Sequence, residues 1–524
     1  MTHIYRQSNR STLPESSGRA LLAMSVALVV GTVGCSEQNV PFFTAPTEVP
    51  ASISGLQNAV SGLFAASRND IGAVEFSPVA GYARDGAIFT NTEPRTVTYP
   101  LGVDAIPNTS GTIWAQEYQN ITQAQQIYAA LPKINTLITP IQATSITGVV
   151  QTMQAYNYML VAEAHDTLGL AILPAGTTGT TAPAAVCAKN AWQYIVALLD
   201  SAEANLVKAG SAIGPIKVPT GFAAVYITSG PPGTLGSFAS FNRVLAAKAN
   251  LELAYAIARG SGGTAPTSTS PGAPDAAALN LALTELTASA MYNPAALAPA
   301  PSGQFVPGPY VVTHDFSTQS QDLVNPVQQN IGTLAQLNDF VAEVDTVNDQ
   351  RWHTKLALNP NPVQQQFYNA VASKYLYNMY ANPSSPIPIV REDQLVIWHG
   401  EIELGLGNLA LALADANLLR SVTGSCGTAC PPGETALTPY PASDALSYTK
   451  TRDDLMKETR ISTTFESSAD RTIEIRNYGM QAVSDTTWLH ENPNVTTGDL
   501  HTTVNPIPQT EINGRNGTYT KTCH

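Results

Sequence analysis

The chain has 524 residues, a formal net charge of −13 at pH 7, and only 12% charged residues. An acidic chain of this kind lacks the basic surface that nucleic-acid binding needs, so we expect no nucleic-acid partner. Its length is ample for a large hydrophobic core and formally for more than one domain.

The N-terminus has the order of an export signal. Basic residues precede the apolar run 21–30, and small residues then lead into Cys35. The apolar run is shorter than the roughly 20 residues that span a bilayer. We therefore predict a lipoprotein signal peptide at residues 1–34, lipidation of Cys35, and a flexible tether over residues 35–50. An ordinary secretory signal and a membrane helix with an incidental cysteine are the alternatives.

Helical periodicity dominates the rest of the chain, and few segments alternate with period two. In chain order, the stretches with helical spacing of apolar residues are 53–64, 113–131, 149–168, 192–206, 241–257, 276–291, 364–380, 391–419 and 445–461. Long stretches rich in Gly, Pro, Ser and Thr separate them, as at 260–274 and 421–443. We predict an all-α, mainly helical fold with long irregular loops, few strands, and helical hairpins of the tetratricopeptide type.

Two cysteines, Cys426 and Cys430, lie in the Gly- and Pro-rich loop 424–433. Because export places the chain in an oxidising compartment, we predict a local disulfide between them. A metal site is not expected in this loop, since the loop has no histidine that could complete a ligand set. The pairing of Cys187 with Cys523 is left open.

No catalytic motif in this sequence is convincing. The tripeptide His399–Gly400–Glu401 resembles the start of a deaminase zinc motif but lacks its Pro-Cys-x-x-Cys partner. Ser447 and Lys450 fit a Ser-x-x-Lys pattern that is common by chance and has no Lys-Thr-Gly companion here. The sequence also has no Gly-x-Ser-x-Gly elbow, His-Glu-x-x-His motif or phosphate loop. We therefore expect no enzymatic activity and no catalytic residues.

A dense group of charges lies near the C-terminus of an otherwise charge-poor chain. Arg471, Glu474 and Arg476 are close in sequence to Glu466 and Asp470. Charges at this density favour partly buried ion pairs that fix helix ends. We therefore predict a structural role for these residues and no ligand contact.

Segments in the order and spacing of one known family run through nearly the whole chain after residue 35. They are WAQEYQNITQAQQIYAAL (114–131), TMQAYNYMLVAEAHDTLGLAILP (152–174), FNRVLAAKANLELAYAIARG (241–260), NDQRW (348–352), SKYLYNMYANPSSPIPIVREDQLVIWHGEIEL (373–404), KETRISTTFESSADRTIEIRNYG (457–479) and PIPQTEING (506–514). Together with the lipid signal, these segments resemble the SusD/RagB family of outer-membrane nutrient-binding lipoproteins. One departure is Ser467–Ser468, which stands where the family block has glycine.

This resemblance implies a single SusD-like domain over residues 51–524, with four tetratricopeptide-like helix pairs that support a loop-rich ligand-binding part. It implies a surface-exposed lipoprotein, held in the outer membrane by its lipid anchor, that captures oligosaccharides without catalysis. The implied partner is a SusC-like TonB-dependent β-barrel transporter, over which the protein sits as a lid. The same role for peptides, and a helical-repeat adaptor of the cell surface without a small-molecule ligand, are the alternatives. No cofactor is implied, and structural calcium is left open.

Glycan binding needs aromatic platforms for the C–H faces of sugars and polar side chains for their hydroxyls. Such residues stand in three non-helical segments, which are GYARDGAIF before the Trp114 helix, the loop around His314, and the Asp-x-Arg element. The predicted ligand-binding residues are Tyr82, Arg84, Asp85, Tyr310, Phe316 and Trp352. For each of them, a role in the core or in anchoring a loop is the alternative.

Overall fold

The structure is a computed structural model, and it describes most of the chain from Glu48 onwards. The described residues are 48–68, 85–88, 107–173, 183–210, 214–222, 237–299, 311–319, 322–329, 334–336, 338–364, 372–426, 430–466, 470–480, 504, 507–508 and 511–512. The predicted signal peptide, the lipidation site Cys35 and the tether up to residue 47 lie outside them. Residues Glu48–His524 form one compact unit.

Helices dominate the described part of the chain. In chain order they are α1 Ile53–Ala66, α2 Pro107–Ala130, α3 Pro140–His165, α4 Ala188–Ala209, α5 Phe238–Arg259, α6 Ala276–Ala288, α7 Pro326–Gln329, α8 Asn338–Glu343, α9 Gln350–Lys355, α10 Glu392–Gly405, α11 Leu409–Val422, α12 Tyr448–Thr463 and α13 Asp470–Asn477. The predicted fold class, mainly helical with irregular connections, is confirmed. Within the described residues, no helix has both the length and the apolar character that crossing a membrane requires.

The long helices stack in sequence order. α1 packs on α2, α3 on α4, α5 on α6, and α10 on α11. Neighbouring pairs then meet through α2 with α3, α4 with α5, and α6 with α10. The prediction of tetratricopeptide-like helix pairs is therefore confirmed. α3 and α5 are central helices, because buried residues occupy nearly all sides of their C-terminal halves.

Local sequence signals account for where several helices begin. Ser52 caps α1, since its hydroxyl accepts a hydrogen bond from the N–H of Gly55 at 3.0 Å. α3 opens with a capping box, in which the side chains of Thr139 and Gln142 each accept from the other's backbone N–H. Pro140 occupies the first turn of α3, where its missing N–H costs nothing.

Short antiparallel strands connect the helices. They are β1 Gly86–Ile88, β2 Leu170–Ala171, β3 Ala185–Val186, β4 Val312–His314, β5 Leu334–Gln336, β6 Leu356–Gln364, β7 Ala372–Tyr377 and β8 Ile387–Val390. One four-stranded sheet has the order β1-β5-β7-β6, and β2–β3 and β4–β8 are two-stranded ribbons. In the β4–β8 ribbon, His314 lies opposite Ile387.

The prediction of a helix over 364–380 is wrong for the described residues of this stretch, 364 and 372–380, which include the end of β6 and the strand β7. β7 pairs with β6, and Tyr377 lies opposite Leu356. Tyr377 and Met379 are fully buried whereas Asn378 between them is partly exposed, which is the alternation of extended chain. Closely spaced aromatic residues fit a pleated surface better than a helix, and this preference prevails here.

The stretch 391–419, predicted as one long helix, is a hairpin of two helices, α10 and α11. Gly407 ends the first helix with φ +81°, a left-handed conformation that glycine adopts without strain. Asn408 then precedes α11, and its side-chain amide donates to the Glu403 carboxylate at 2.6 Å. Because the chain turns here, α10 and α11 form the fourth helix pair.

Two hydrophobic clusters form the core. The larger cluster lies between α1 to α6 and α10 to α12. The smaller one packs the four-stranded sheet and α9 against the end of α12. Its residues are Phe316, Val327, Phe340, Trp352, Leu356, Tyr377, Met379, Tyr380, Ile387, Ile461 and Phe465.

The polar helix α13 is buried along its whole length. Its Asp470 accepts from Lys248 of α5, with Nζ and Oδ1 3.1 Å apart, and its Arg476 lies 3.4 Å from Asp166. Lys248 also binds Glu163 of α3 at 2.8 Å. The predicted ion pairs near the C-terminus are therefore confirmed, and they join α13 to the interior faces of α3 and α5.

The disulfide predicted in the Gly- and Pro-rich loop is present. Cys426 and Cys430 are bonded, with their Cα atoms 4.8 Å apart. Cys187 is also disulfide-bonded. Cys523, the partner considered for it, lies outside the described residues.

Candidate functional site

A small cavity lies where three separate stretches of the chain meet, namely the C-terminal end of α1, the 3-10 turn Thr220–Phe222 and the strand β4. Its volume is about 160 Å³. Its lining residues are Phe64, Ala65, Arg68, Pro219, Phe222, Thr313, His314 and Asp315. Aromatic, charged and hydroxyl side chains around one concave space make this cavity the candidate binding site of the described chain. We call it the α1–β4 pocket.

The apolar wall of the α1–β4 pocket consists of Phe64 and Phe222. Their rings meet edge to face with centroids 4.8 Å apart. The helical period of α1 places Phe64 on the same buried face as Val60, so the main core fixes its position. Phe238 at the start of α5 packs against both rings. The wall is therefore continuous with the hydrophobic core.

Arg68 stands just beyond the end of α1 and points its guanidinium at the chain after β4. Its Nε–H donates to the Ala65 carbonyl at 3.1 Å, and Nη1 donates to the Asp315 carbonyl at 2.8 Å. Nη2 binds Asp322 Oδ1 at 2.6 Å, and this hydrogen bond lowers the pKa of the Asp322 carboxyl. These bonds use three of the five N–H groups of the guanidinium. Arg68 is thereby held in place, and its other two N–H groups have no hydrogen-bond partner among the residues that the structure describes.

The carboxylate of Asp315 is held at the pocket by two donors. Its Oδ2 accepts from the Gly221 N–H at 2.7 Å, and its Oδ1 accepts from the Thr313 hydroxyl at 3.3 Å. A Cβ at Gly221 would lie 2.1 Å from the carbonyl oxygen of Thr313, so this close approach of two backbones requires glycine. Since a carboxylate has about four acceptor sites, roughly two remain for a ligand.

His314 is the most deeply buried polar residue that lines the pocket, with 1% of its surface exposed against 5% for Thr313. Its Nε2 lies 3.5 Å from the Tyr156 hydroxyl, and its Nδ1 has no hydrogen-bond partner among the described residues. Burial, reinforced by the positive charge of Arg68, lowers the pKa of His314 to about 3. The imidazole is therefore neutral at physiological pH, and Nδ1 is an unused polar atom beside the cavity.

The pocket combines a hydrophobic wall with spare donors on Arg68 and spare acceptors on Asp315. The polar side chains suit hydrogen bonding to hydroxyl groups. Among the described residues, no group of three or more His, Cys, Asp and Glu side chains could hold a metal ion.

The predicted ligand-binding residues do not line this pocket where the structure describes them. Asp85 is buried and accepts from Arg460 Nε at 2.6 Å. Phe316 and Trp352 both belong to the smaller hydrophobic cluster. Their burial indicates a role in holding the fold, and their contact with a ligand stays a prediction. The other three, Tyr82, Arg84 and Tyr310, lie outside the described residues.

Sequence reasoning found one of the three stretches that form the pocket. It singled out the loop around His314, and two further lining residues, Thr313 and Asp315, are its neighbours in that loop. It missed Arg68 and the turn Thr220–Phe222. The available signal for Arg68 was a lone basic residue directly after an apolar helix, which does not by itself indicate binding.

No protein-family model matches the sequence, and no curated protein matches it either. Solved structures of similar shape do exist. A SusD superfamily protein from Bacteroides fragilis NCTC 9343 aligns with a TM-score of 0.59 at 13% identity, over 91% of this chain and 98% of that one. B. fragilis NanU aligns with a TM-score of 0.54 at 13% identity, over 91% and 98% of the two chains.

A third similar structure is the surface glycan-binding protein A from Bacteroides uniformis. It aligns with a TM-score of 0.57 at 12% identity, over 90% of this chain and 100% of that one. Identities this low establish the fold alone. The chain has the fold of the SusD superfamily, as the resemblance of its segments predicts.

Proposed function

We propose that this protein is a cell-surface lipoprotein that captures oligosaccharides and passes them to a SusC-like TonB-dependent transporter in the outer membrane. The observation that carries this proposal is the SusD fold over about nine-tenths of the chain. One structure that shares it is a surface glycan-binding protein by name. Peptides are the second ligand class considered, and no contact in the structure favours them.

Two features of this chain support the proposal independently of the fold. The first is the order of basic, apolar and small residues before Cys35, which is that of a lipoprotein signal. The second is the α1–β4 pocket, in which hydrogen bonds hold the polar side chains of Arg68 and Asp315 in place, as binding to hydroxyl-rich molecules requires. Its polar groups are already tied to backbone and to one another, which suits capture of a ligand better than turnover of a substrate.

The partner is tested by isolating the tagged protein from detergent-solubilised outer membranes of its own cells. We expect a large β-barrel protein to co-purify in near-stoichiometric amount, because a stable interface of standard size survives dilution. The matched control is Cys35→Ser, which removes the lipidated sulfur, and we expect this variant in the soluble fraction without the barrel. Recovery of the abundant wild-type protein alone from the membrane would count against the transporter role.

The ligand class is tested by calorimetric titration of the purified lipoprotein with oligosaccharides and, in parallel, with a tryptic peptide mixture. We expect heat of binding with at least one oligosaccharide and none with the peptides. Binding of peptides alone would replace the glycan proposal by its peptide alternative.

A further inference from the structure

Several exposed apolar side chains lie on neighbouring elements at the start of α1, the start of α3 and the end of α4. Isolated apolar residues at a protein surface are ordinary, whereas a group of them indicates an interaction surface. The four residues, whose exposed fractions run from 38% to 52%, are Ile53 in α1, Leu137 just before α3, Ile141 in the first turn of α3, and Val207 in the last turn of α4.

The helices α3 and α4 run antiparallel, which places the start of α3 beside the end of α4. Tyr158 in the second half of α3 meets Tyr194 near the start of α4, with ring centroids 5.4 Å apart. Earlier in α3, Gly148 faces Leu206 near the end of α4. The first turn of α3 and the last turn of α4 therefore lie at the same end of the helix stack.

The start of α1 lies at this end too. Gln57 of α1 bonds both backbone groups of Lys217, since its Nε2 donates to the carbonyl at 3.0 Å and its Oε1 accepts from the N–H at 2.6 Å. The chain just before Lys217 touches α3, because a Cβ at Gly214 would lie 2.7 Å from Ile146 Cδ1. The chain that follows α4 therefore joins the start of α1 to the first half of α3.

Lysines accompany the apolar residues. Lys133 after α2, Lys208 in the last turn of α4 and Lys217 are all exposed. The stretches 118–162 and 204–251, which carry these lysines, contain no Asp or Glu. Their positive charges are therefore not offset within their own segments, although the chain as a whole has a net charge of −13. We call the four apolar residues and these three lysines the apolar–lysine surface.

The predicted lipid anchor is attached next to the apolar–lysine surface. The described fold begins at Glu48, whose carboxylate binds Lys133 with Oε1 and Nζ 2.9 Å apart, and the following Val49 is buried in the core. The segment 36–47 separates Glu48 from Cys35, and a chain of this length reaches at most about 45 Å when fully extended. Lipidation of Cys35 would therefore keep this end of the fold close to the membrane.

We infer that the apolar–lysine surface rests on the membrane that carries the lipid anchor, with its apolar side chains among the lipid head groups and its lysines at their phosphates. Interfacial segments bind membranes in this way, through buried apolar area and attraction to anionic lipids. The inference rests on the lipidation in the proposed function and goes beyond it, because it states which face of the protein meets the membrane.

Two physical arguments support this contact. Charges more than about 8–10 Å away are largely screened at physiological salt, so the acidic groups in the rest of the chain do not prevent the lysines from approaching an anionic surface. An acyl anchor alone leaves the protein free to rotate on its tether. A second contact, made by the apolar–lysine surface, fixes the orientation of the domain above the membrane.

The decisive measurement places an environment-sensitive dye on Leu137→Cys in the full-length lipoprotein. The protein is reconstituted into vesicles of phosphatidylethanolamine and the anionic phosphatidylglycerol, with a nitroxide quencher on some of the head groups. We expect the dye to shift to the blue and to lose most of its emission to the quencher. Wild-type protein treated with the same dye gives the background.

The matched control is Leu411→Cys in the first turn of α11, because Leu411 is 50% exposed and Leu137 is 52% exposed. The turn before α11 lies at the opposite end of the stack, since a Cβ at Gly405 would lie 3.2 Å from the hydroxyl of Tyr255, near the end of α5. The first half of α5 instead contacts α4 near its end, through the pair of Arg243 with Glu203. We expect the dye on Leu411→Cys to stay in water.

The lysines are tested by Lys208→Gln and Lys217→Gln in the labelled Leu137→Cys protein. We expect each substitution to lower the ratio of membrane-contacting to free domain about fivefold, the effect of one lysine near an anionic leaflet. Lys189→Gln is the control, because Lys189 is exposed at the start of α4, the opposite end of the helix that carries Lys208. It should behave like the labelled parent protein.

The outcomes separate this inference from the proposed function. Equal dye signals from Leu137→Cys and Leu411→Cys, on vesicles that retain the lipoprotein, would overturn the inference and leave the lipoprotein role intact. Shielding of the Leu137→Cys dye in native outer membranes but not on vesicles would also overturn it, and would assign the surface to a protein partner. Mass spectrometry that finds no acyl chain on Cys35 would overturn the lipidation itself, and the inference with it.

Discussion

The guanidinium of Arg351 binds the carboxylate of Glu458, with Nη2 and Oε2 2.6 Å apart. Both side chains are almost fully buried, and Arg351 also binds Asp349 at 2.7 Å. The pair joins the first turn of α9, which Asp349 caps, to the middle of α12, across more than a hundred residues of sequence. The Asp-x-Arg element therefore forms buried ion pairs that hold α9 against α12.

Removing these buried ion pairs should strongly lower the free energy of unfolding. We expect Arg351→Met to lower the free energy of unfolding by about 3–5 kcal/mol, because Asp349 loses this buried cation and Glu458 keeps only the longer, 3.3 Å contact with Arg420 among the described ion pairs. The control is Lys133→Met, which breaks the exposed pair with Glu48 and should cost about 1 kcal/mol or less. Urea unfolding followed by circular dichroism measures both, and equal losses in the two variants would contradict the structural role of Arg351.

Asp85 provides a direct test between a ligand contact and a structural contact. It is buried against Arg460, and burial raises the pKa of its carboxyl although Arg460 acts in the opposite direction. We expect Asp85→Ala to destabilise the protein by about 1–3 kcal/mol, since the buried Arg460 loses one of its two described carboxylate partners, Asp85 and Glu343. Unfolding and glycan titration are measured on the same sample. Full stability combined with lost binding would restore Asp85 to the ligand site.

The contact between α3 and α4 is close enough to require glycine at Gly148. A Cβ there would lie 2.7 Å from Leu206 Cγ and 2.9 Å from the Ala202 carbonyl oxygen. We expect Gly148→Ala to lower the unfolding free energy by about 1–3 kcal/mol, because the helices must move apart. Gly62→Ala on α1 is the matched control, since its nearest neighbour is the end of the Gln123 side chain at 3.4 Å. It should stabilise the protein by about 0.5–1 kcal/mol through helix propensity.

We expect the titration of Glu252 to contribute to the pH dependence of the free energy of unfolding. Burial raises its pKa to about 7, although Arg476 and Arg259 oppose the shift. The folded chain thus holds a proton that the unfolded chain releases near pH 4.5, so this group stabilises the fold fully at low pH and loses that contribution as pH rises towards 7. The loss should be on the order of 1–3 kcal/mol.

Glu252→Gln keeps an acceptor for Asn477 and cannot ionise. We expect unfolding free energies at pH 5, 6 and 7 to fall more steeply for the wild type than for this variant. Parallel pH profiles for the two proteins would show that Glu252 is ionised in the fold across this range.

The helices could be predicted because each is encoded by residues that are neighbours in sequence. The pocket could not be predicted, because the residues that line it are far apart in sequence. Periodicity identifies most of α1 and the C-terminal part of α3 from their own residues. At Gly407 the sequence shows a glycine but not that the helix ends there. The aromatic stretch that forms β7 is extended because it pairs with β6, and this pairing is not visible in its own residues. The pocket joins residues around 65, 221 and 314, and no spacing rule connects stretches so far apart. Asp85 was predicted to bind ligand, and the sequence could not show that its buried partner is Arg460, 375 residues away.

The burial of α13 has a consequence for how the chain must be made. Lys248 and Glu163 lie in the central helices and Asp166 directly follows α3. Each has an opposite charge in the earlier part of the chain, since Lys248 binds Glu163 and Asp166 lies 2.9 Å from Arg259. Their further partners in α13, Asp470 and Arg476, are synthesised more than two hundred residues later. Because buried charges need close compensation, the last polar contacts of the interior form only when α13 docks. Growth of the chain and completion of its interior are therefore separated in time.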